Sequence, residues 1–188
     1  MKLVLASKSP RRREILSMVT EGFEVRVSGA DENVDTIVDN FDVPRILAER
    51  KAEATPIYDD EILVGCDTIV ILGDEIMGKP KDKEDAIRML KALSGGVHYV
   101  VSGLVLKTKE KLYSTAVTTA VYMRNLTDEE ILSYVEKFNP IDKAGAYGIQ
   151  EMAGAFVEKI DGDFYNVVGL PLCSLVTKLK EEFGVNLI

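Results

Sequence analysis

Histidine is almost missing from this chain: His98 is the only one in 188 residues. A histidine-based zinc centre or a Ser-His-Asp triad would rest on that residue alone, and no companion spacing supports either. Cysteine is nearly as scarce. Cys66 and Cys173 are the only two, both in apolar surroundings, which excludes a disulfide scaffold and predicts two core thiols. No stretch approaches the roughly 18 apolar residues of a membrane span. The opening Met1-Lys2-Leu3-Val4-Leu5-Ala6 has one charge and too short an apolar run for a signal peptide, so the expectation is a soluble, cytoplasmic protein with no membrane partner. Basic residues are also in deficit, Lys+Arg 23 against Asp+Glu 31, for a net charge of −8. Sequence-independent nucleic-acid binding works by neutralising phosphates with Lys and Arg, so this balance argues against a nucleic-acid partner. Any anionic ligand must be met locally.

What is present is ordinary globular material, 46% hydrophobic and 29% charged, of a length that fits one domain or one two-lobed domain. Residues 3–6 read as a short apolar strand followed by Ser9 and Pro10, a good N-cap and a good first helical residue. Alternation over 23–28 predicts a half-buried strand. An amphipathic helix is expected over 43–54, and 62–72 is apolar enough, apart from Asp67 and Thr68, for a strand buried on both faces. Gly73-Asp74 supplies a turn. Ala86, Ile87, Leu90 and Leu93 recur at helical spacing, and Ser94-Gly95-Gly96 ends that helix. Two β-branched strands, 99–106 and 112–123, flank an exposed polar turn over 107–111. Thr127 and Glu130 form a capping-box pattern for a helix burying Ile131, Leu132, Val135 and Phe138. A loop over 139–150, strands over 156–160 and 165–168 about Asp161-Gly162-Asp163, and a closing helix through Leu172, Leu175, Val176, Leu179 and Phe183 complete the reading. Alternating strands and helices without a repeat predict an α/β fold with a mixed sheet.

Five groups of residues could carry chemistry. Lys8, Arg11, Arg12 and Arg13 fall between a strand and a helix start, where unpaired N–H groups and the helix dipole favour an anion. Three Arg at a helix N-terminus oppose the dipole, which makes phosphate binding a better reason for them than stability; the alternative is a solvated face with Arg stems covering the core. No Gly-x-x-x-x-Gly-Lys-Ser/Thr run occurs, so this is not a P-loop. Asp67 lies in the most apolar strand, where a carboxylate needs a cation or several donors. It is either an Asp satisfied by backbone amides beside Gly65 or a catalytic or metal-binding group. Asp31 and Glu32, ordinary solvated acids if taken alone, would form with Asp67 an oxygen-rich site for Mg²⁺ or Mn²⁺. Lys51 and Gly78-Lys79-Pro80-Lys81 are further cations within reach of a polyphosphate or simply surface lysines. Asp142 to Gln150 contains two glycines that permit close backbone approach and, in Gln150, a donor and acceptor suited to a nucleobase edge; a plain surface loop is the other reading.

Taken together, Ala6-Ser7-Lys8-Ser9-Pro10-Arg11-Arg12-Arg13-Glu14-Ile15-Leu16, Gly65-Cys66-Asp67-Thr68, Gly78-Lys79-Pro80, Leu93-Ser94-Gly95, Asp142-Lys143-Ala144-Gly145-Ala146-Tyr147-Gly148-Ile149-Gln150 and Gly169-Leu170-Pro171-Leu172 resemble the Maf family. Its members were first described as septum-formation inhibitors and later as nucleoside triphosphate pyrophosphatases. The resemblance spans nearly the whole chain. It implies a Maf/inosine-triphosphate-pyrophosphatase-like α/β fold, a mixed twisted sheet flanked by helices, with two lobes around a nucleotide cleft in one domain over 1–188, and often a homodimer. It implies that Asp67 is the proton acceptor and that Ser7, Arg12, Glu32, Lys51 and Lys79 handle phosphates or the metal. Arg11, Thr68 and Gln150 resemble members acting on dTTP and UTP, whereas relatives acting on 7-methyl-GTP tend to have Trp, Gln and Glu there. The departures, Asp31 where many relatives have Glu and Cys66 where Ala is common, change no ligand type.

The expected activity is hydrolysis of a nucleoside triphosphate, dTTP or UTP preferred, to the monophosphate and pyrophosphate. A divalent cation (Mg²⁺, Mn²⁺ or Co²⁺) held by Asp67 and Glu32 would assist water attack at the α-phosphorus. Arg11, Arg12, Lys51 and Lys79 would neutralise the phosphate chain. Gln150, with Thr68, would read the O4/N3 edge of the base. The rival activities are turnover of 7-methyl-GTP or a broader set of modified nucleotides, and nucleotide sensing by a regulator of cell division.

Overall fold

The computed structural model describes residues 1–27, 29 and 39–188; the candidate ligands Asp31 and Glu32 lie outside the described residues. The chain begins with β1 (Lys2–Leu5) and turns at once into α1 (Pro10–Ser17). Ser9 has extended backbone, its Oγ accepts the Arg12 N–H at 3.4 Å, and Pro10 occupies a first-turn position that needs no N–H. β2 (Phe23–Val25) follows, then α2 (Val43–Glu53) and β3 (Glu61–Leu72). β1 pairs in parallel with both β2 and β3, Leu3 opposite Phe23 on one side and Ile62 on the other. Parallel neighbours need crossover connections, which is the place α1 and α2 take in the chain.

A turn at Gly73 and Asp74 folds β4 (Glu75–Met77) back antiparallel on β3, with Val70 opposite Met77. α3 (Lys83–Leu93) is capped by Asp82, whose carboxylate accepts the Asp85 N–H at 2.8 Å. β5 (Val97–Lys107) and β6 (Leu112–Met123) come next, then α4 (Asp128–Phe138) with the reciprocal Thr127–Glu130 capping box. β7 (Val157–Asp161) runs antiparallel to β6, Ile160 opposite Val121. The chain closes with α5 (Phe164–Val168) and α6 (Leu172–Phe183). Among the described residues, seven strands form one mixed sheet in the order β2-β1-β3-β5-β6-β7, with β4 on β3.

Several elements depart from expectation. β2 covers Phe23–Val25, where its partner β1 ends at Leu5, and the Arg26 N–H still reaches Leu5 O at 3.0 Å; residue 28, the expected end of the strand, lies outside the described residues. Residues 165–168 are helical, not a strand. Asp163 Oδ1 accepts the N–H groups of Tyr165 (2.8 Å) and Asn166 (3.3 Å), which starts a helical turn, and the buried Asn166 donates to Val100 O and Thr119 Oγ1. Leu132 is 49% exposed. The inward stripe of α4 is Ile131, Tyr134, Val135 and Phe138, and Leu132 falls one position off it. Cys173 is exposed on α6, whose inward residues are Leu175 and Leu179, so only Cys66 is a core thiol. The turn after β5 is not wholly exposed: Thr108 is buried and its Oγ1 accepts the N–H groups of Glu110 and Lys111. The loop over 139–150 contains two short 3₁₀ turns, Pro140–Asp142 and Ala144–Ala146.

The chain divides into two compact units, Met1–Thr68 with Ser102–Val117 and Gly169–Ile188, and Ile69–Val101 with Thr118–Val168. In the first, Val4 and Leu63 of neighbouring strands pack with Ala48 and Ala52 of α2 and Val105 of β5. In the second, Met77, Leu90, Ile131, Tyr134 and Phe156 form the centre of a larger core. His98 is wholly buried there, its Nε2 2.7 Å from the Tyr147 hydroxyl. Burial pushes the imidazole down to about 4, so it is neutral in the folded protein.

The unfolded chain takes up a proton at this histidine as pH falls through the ordinary value near 6.5, while the folded protein does so only near 4. Stability is therefore lost between pH 6.5 and 4, on the order of 3 kcal/mol by pH 4. Urea unfolding midpoints across that range should fall steeply for the wild type and much less for His98→Gln, whatever the variant's stability at pH 7; equal slopes would contradict this role for His98.

Candidate active site

β1 has β2 on one side and β3 on the other, and the chain leaves it through α1 toward β2. Open α/β sheets bind ligands off the carboxyl ends of parallel strands where the chain parts in this way. Ser7 follows the end of β1, Arg11 and Arg12 lie in the first turn of α1, and Asp67 and Thr68 lie beyond the stretch of β3 that pairs with β1. These five candidates, three from the motif at 6–16 and two from the motif at 65–68, thus lie near the end of β1 in the first unit.

Arg12 is the most constrained of them. Its Nε donates to Gly169 O at 2.8 Å, Nη1 to Ser7 Oγ at 3.2 Å and Nη2 to Thr68 Oγ1 at 3.1 Å. A guanidinium has five N–H groups, so one on each terminal nitrogen is left to point elsewhere. Ser7 is buried and its Oγ also accepts the Ser9 N–H, which ties the end of β1 to the cap of α1. Gly169 has φ +129°, a conformation that side chains avoid, and its carbonyl also accepts from Cys66 Sγ and Thr68 Oγ1, each at 3.3 Å. Thr68 Oγ1 is 2.8 Å from Ser102 Oγ of β5, a wholly buried side chain. Burial pushes the Cys66 thiol up, so it stays a neutral donor and not a nucleophile. Arg11 is half-buried beside Arg12, whereas Lys8 and Arg13 are exposed.

Asp67 has the cationic partner a carboxylate in such a strand requires: Lys51 Nζ donates to its Oδ1. Both side chains are mostly shielded, at 18% exposure for Lys51 and 13% for Asp67. Lys51 stands in the last turn of α2, where the dipole favours a cation. Two glycines seat that helix. A Cβ on Gly103 would lie 2.1 Å from Pro44 O, and one on Gly65 would lie 3.2 Å from Ala48 O and 3.3 Å from Ala52 Cβ. The backbone of α2 therefore rests directly on β3 and β5, which brings Lys51 down to Asp67. Successive strand residues face opposite ways, so Asp67 meets α2 while its neighbour Thr68 meets Arg12.

Lys79 and Gln150 belong to the second unit and are both exposed. Their motifs meet there: the Gly145 N–H donates to Gly78 O at 3.1 Å. Lys143, 8% exposed, lies 3.0 Å from Asp142 and 3.5 Å from Glu151, and its stem crosses the place a Cβ on Gly148 would take. That cation pins the turn that carries Gln150. Sequence reasoning missed Ser102 and the Gly169 carbonyl; the one polar side chain between Val100 and Leu106 was the signal for the first.

Among the described residues no group of three or more His, Cys, Asp or Glu is arranged to hold a metal. Asp67 supplies one carboxylate. A Mg²⁺-like ion commonly uses one or two carboxylates with substrate phosphate oxygens, so this donor set fits an ion that arrives with a polyphosphate.

The mixed sheet, with Arg12 held at the end of β1 and a shielded Lys51–Asp67 pair on β3, defines an α/β protein. The chain belongs to the family described as Maf-like protein, which it matches across residues 2–182. It is 50% identical to a dTTP/UTP pyrophosphatase of Clostridium novyi over the full length of both chains. It is 49% identical to one of Parabacteroides distasonis, with 95% of each covered, and 47% identical to one of Alkaliphilus metalliredigens, with 100% of this chain and 99% of that relative covered.

Gly103→Ala should unseat α2, lowering stability to urea by about 1–3 kcal/mol or more through backbone overpacking. Gly22→Ala, which meets nothing within 4 Å, should stay within about 0.5 kcal/mol of the wild type. Equal stability of the two variants would contradict the close approach of α2.

Proposed function

We propose that the chain hydrolyses nucleoside triphosphates, dTTP and UTP preferred, to the monophosphate and pyrophosphate in the cytoplasm. The observation that carries this reading is the three-point fixation of Arg12 next to the Lys51–Asp67 pair at the end of β1. The names of the full-length relatives support the substrate class.

On this reading the two remaining N–H groups of Arg12 face phosphate oxygens, and Arg11 adds a second guanidinium. Asp67 takes the proton of the water that attacks the α-phosphorus, with Lys51 holding its Oδ1 so that the carboxylate keeps one orientation. Lys79 supplies a further cation to the phosphate chain, and charge spreading over those oxygens in the transition state is what these groups stabilise. Gln150 offers donor and acceptor to a pyrimidine O4/N3 edge. Asp67, with Glu32 as the second carboxylate, would hold a divalent cation, which would supply Lewis-acid polarisation of the phosphate.

The purified protein, given a panel of nucleoside triphosphates with Mg²⁺, Mn²⁺ or Co²⁺ and scored by pyrophosphate release, should turn over dTTP and UTP well above purine substrates. Asp67→Asn should lower kcat by about 10²-fold or more while leaving nucleotide binding within a few-fold. A wild type inert with every metal, or one that prefers 7-methyl-GTP, would contradict the proposal.

A further inference from the structure

Thr68 and Ser102 form a hydroxyl pair whose chemistry can be counted. A threonine hydroxyl donates once and accepts twice. Thr68 Oγ1 accepts from Arg12 Nη2 at 3.1 Å and lies 3.3 Å from Gly169 O, a contact in which it can only donate. The remaining acceptor position faces Ser102 Oγ at 2.8 Å, so a Ser102 that donates completes the set. With Ser102 as that donor, no capacity is left on this hydroxyl for a nucleobase. Ser102 itself is wholly buried in β5 and cannot touch a substrate.

We propose that Ser102 is a positioning residue for Arg12, and that Thr68 influences the substrate through Arg12 and not by contact with the base. Ser102 fixes the rotor of Thr68 so that its oxygen, and not its methyl group, faces Nη2. Without that donor only the longer 3.3 Å contact to Gly169 O opposes exchange of the two nearly equal-sized groups, and one of the three anchors of the guanidinium is weakened. The anchors from Gly169 O and Ser7 Oγ would then hold Arg12 on one edge only. The effect on nucleotide turnover rests on the pyrophosphatase reading; the effect on phosphate affinity does not.

The test is a double-mutant cycle of Ser102→Ala with Arg12→Met, read in two ways: calorimetric affinity for inorganic tripolyphosphate, and kcat and KM for dTTP. Ser102→Ala should weaken tripolyphosphate binding and raise the KM for dTTP about tenfold, with kcat changed less than about threefold. In the Arg12→Met background the same substitution should change neither quantity by more than about twofold. A merely structural serine would lower the active fraction, and so the apparent kcat, at constant KM. Thr68→Val removes the hydroxyl at nearly constant volume and carries the same expectation should Ser102→Ala fail to fold. An unchanged KM and affinity, an equal loss in both backgrounds, or a wild type that does not bind tripolyphosphate would overturn the proposal. A wild type that binds tripolyphosphate with this coupling but hydrolyses neither dTTP nor UTP would sink the pyrophosphatase reading and leave the positioning role standing.

Discussion

A guanidinium in the first turn of a helix sits at the positive end of the dipole, so it stays there only if acceptors hold it. Arg12 is held by three, and they come from far apart in the chain: Ser7 at the end of β1, Thr68 in β3 and the carbonyl of Gly169 ahead of α6. That requirement brings the opening, middle and closing segments of the first unit to one place. Gly169 in particular must adopt a left-handed φ of +129° to accept from Arg12, Cys66 and Thr68. A glycine at positive φ and a buried serine accompany the fixing of one cation.

The second constraint is a carboxylate in an apolar strand. Asp67 is tolerable because Lys51 reaches it, and Lys51 reaches it because Gly65 and Gly103 let α2 lie with its backbone against the sheet. The net charge of −8 is thus a poor guide to the local field. Lys51 pairs with Asp67 and Arg12 with Thr68 in one unit, and Gly78, next to Lys79, is bonded to Gly145 of the Gln150 loop in the other. A few fixed cations of this kind suit a compact polyphosphate, whereas a long polyanion requires a broad basic surface.

Local chemistry was the legible part of the sequence. Ser9 with Pro10, and Thr127 with Glu130, mark their helix starts because capping is settled within four residues. The buried character of β3 is equally plain, as is the need of Asp67 for a partner. The partner's identity was not legible as such: Lys51 reads from sequence as a phosphate-binding cation, and only the seating of α2 makes it the counter-ion of Asp67. Ser102 and the Gly169 carbonyl were missed for the same reason, since a hydroxyl and a backbone oxygen declare nothing until strands 34 residues apart, or more, are neighbours. The strand expected over 165–168 fails because an Asp163 side chain, not periodicity, decides that turn. Cys173 and Leu132 fail because an apolar neighbourhood in sequence is not a buried face.

On the proposed function, Asp67 and its neighbours direct water to the α-phosphorus of a nucleoside triphosphate. Hydrolysis of UTP in ¹⁸O-labelled water tests it directly, because the label marks the phosphorus attacked. Mass spectrometry should find one ¹⁸O in the uridine monophosphate and none in the pyrophosphate. Label in pyrophosphate or in inorganic phosphate would contradict it.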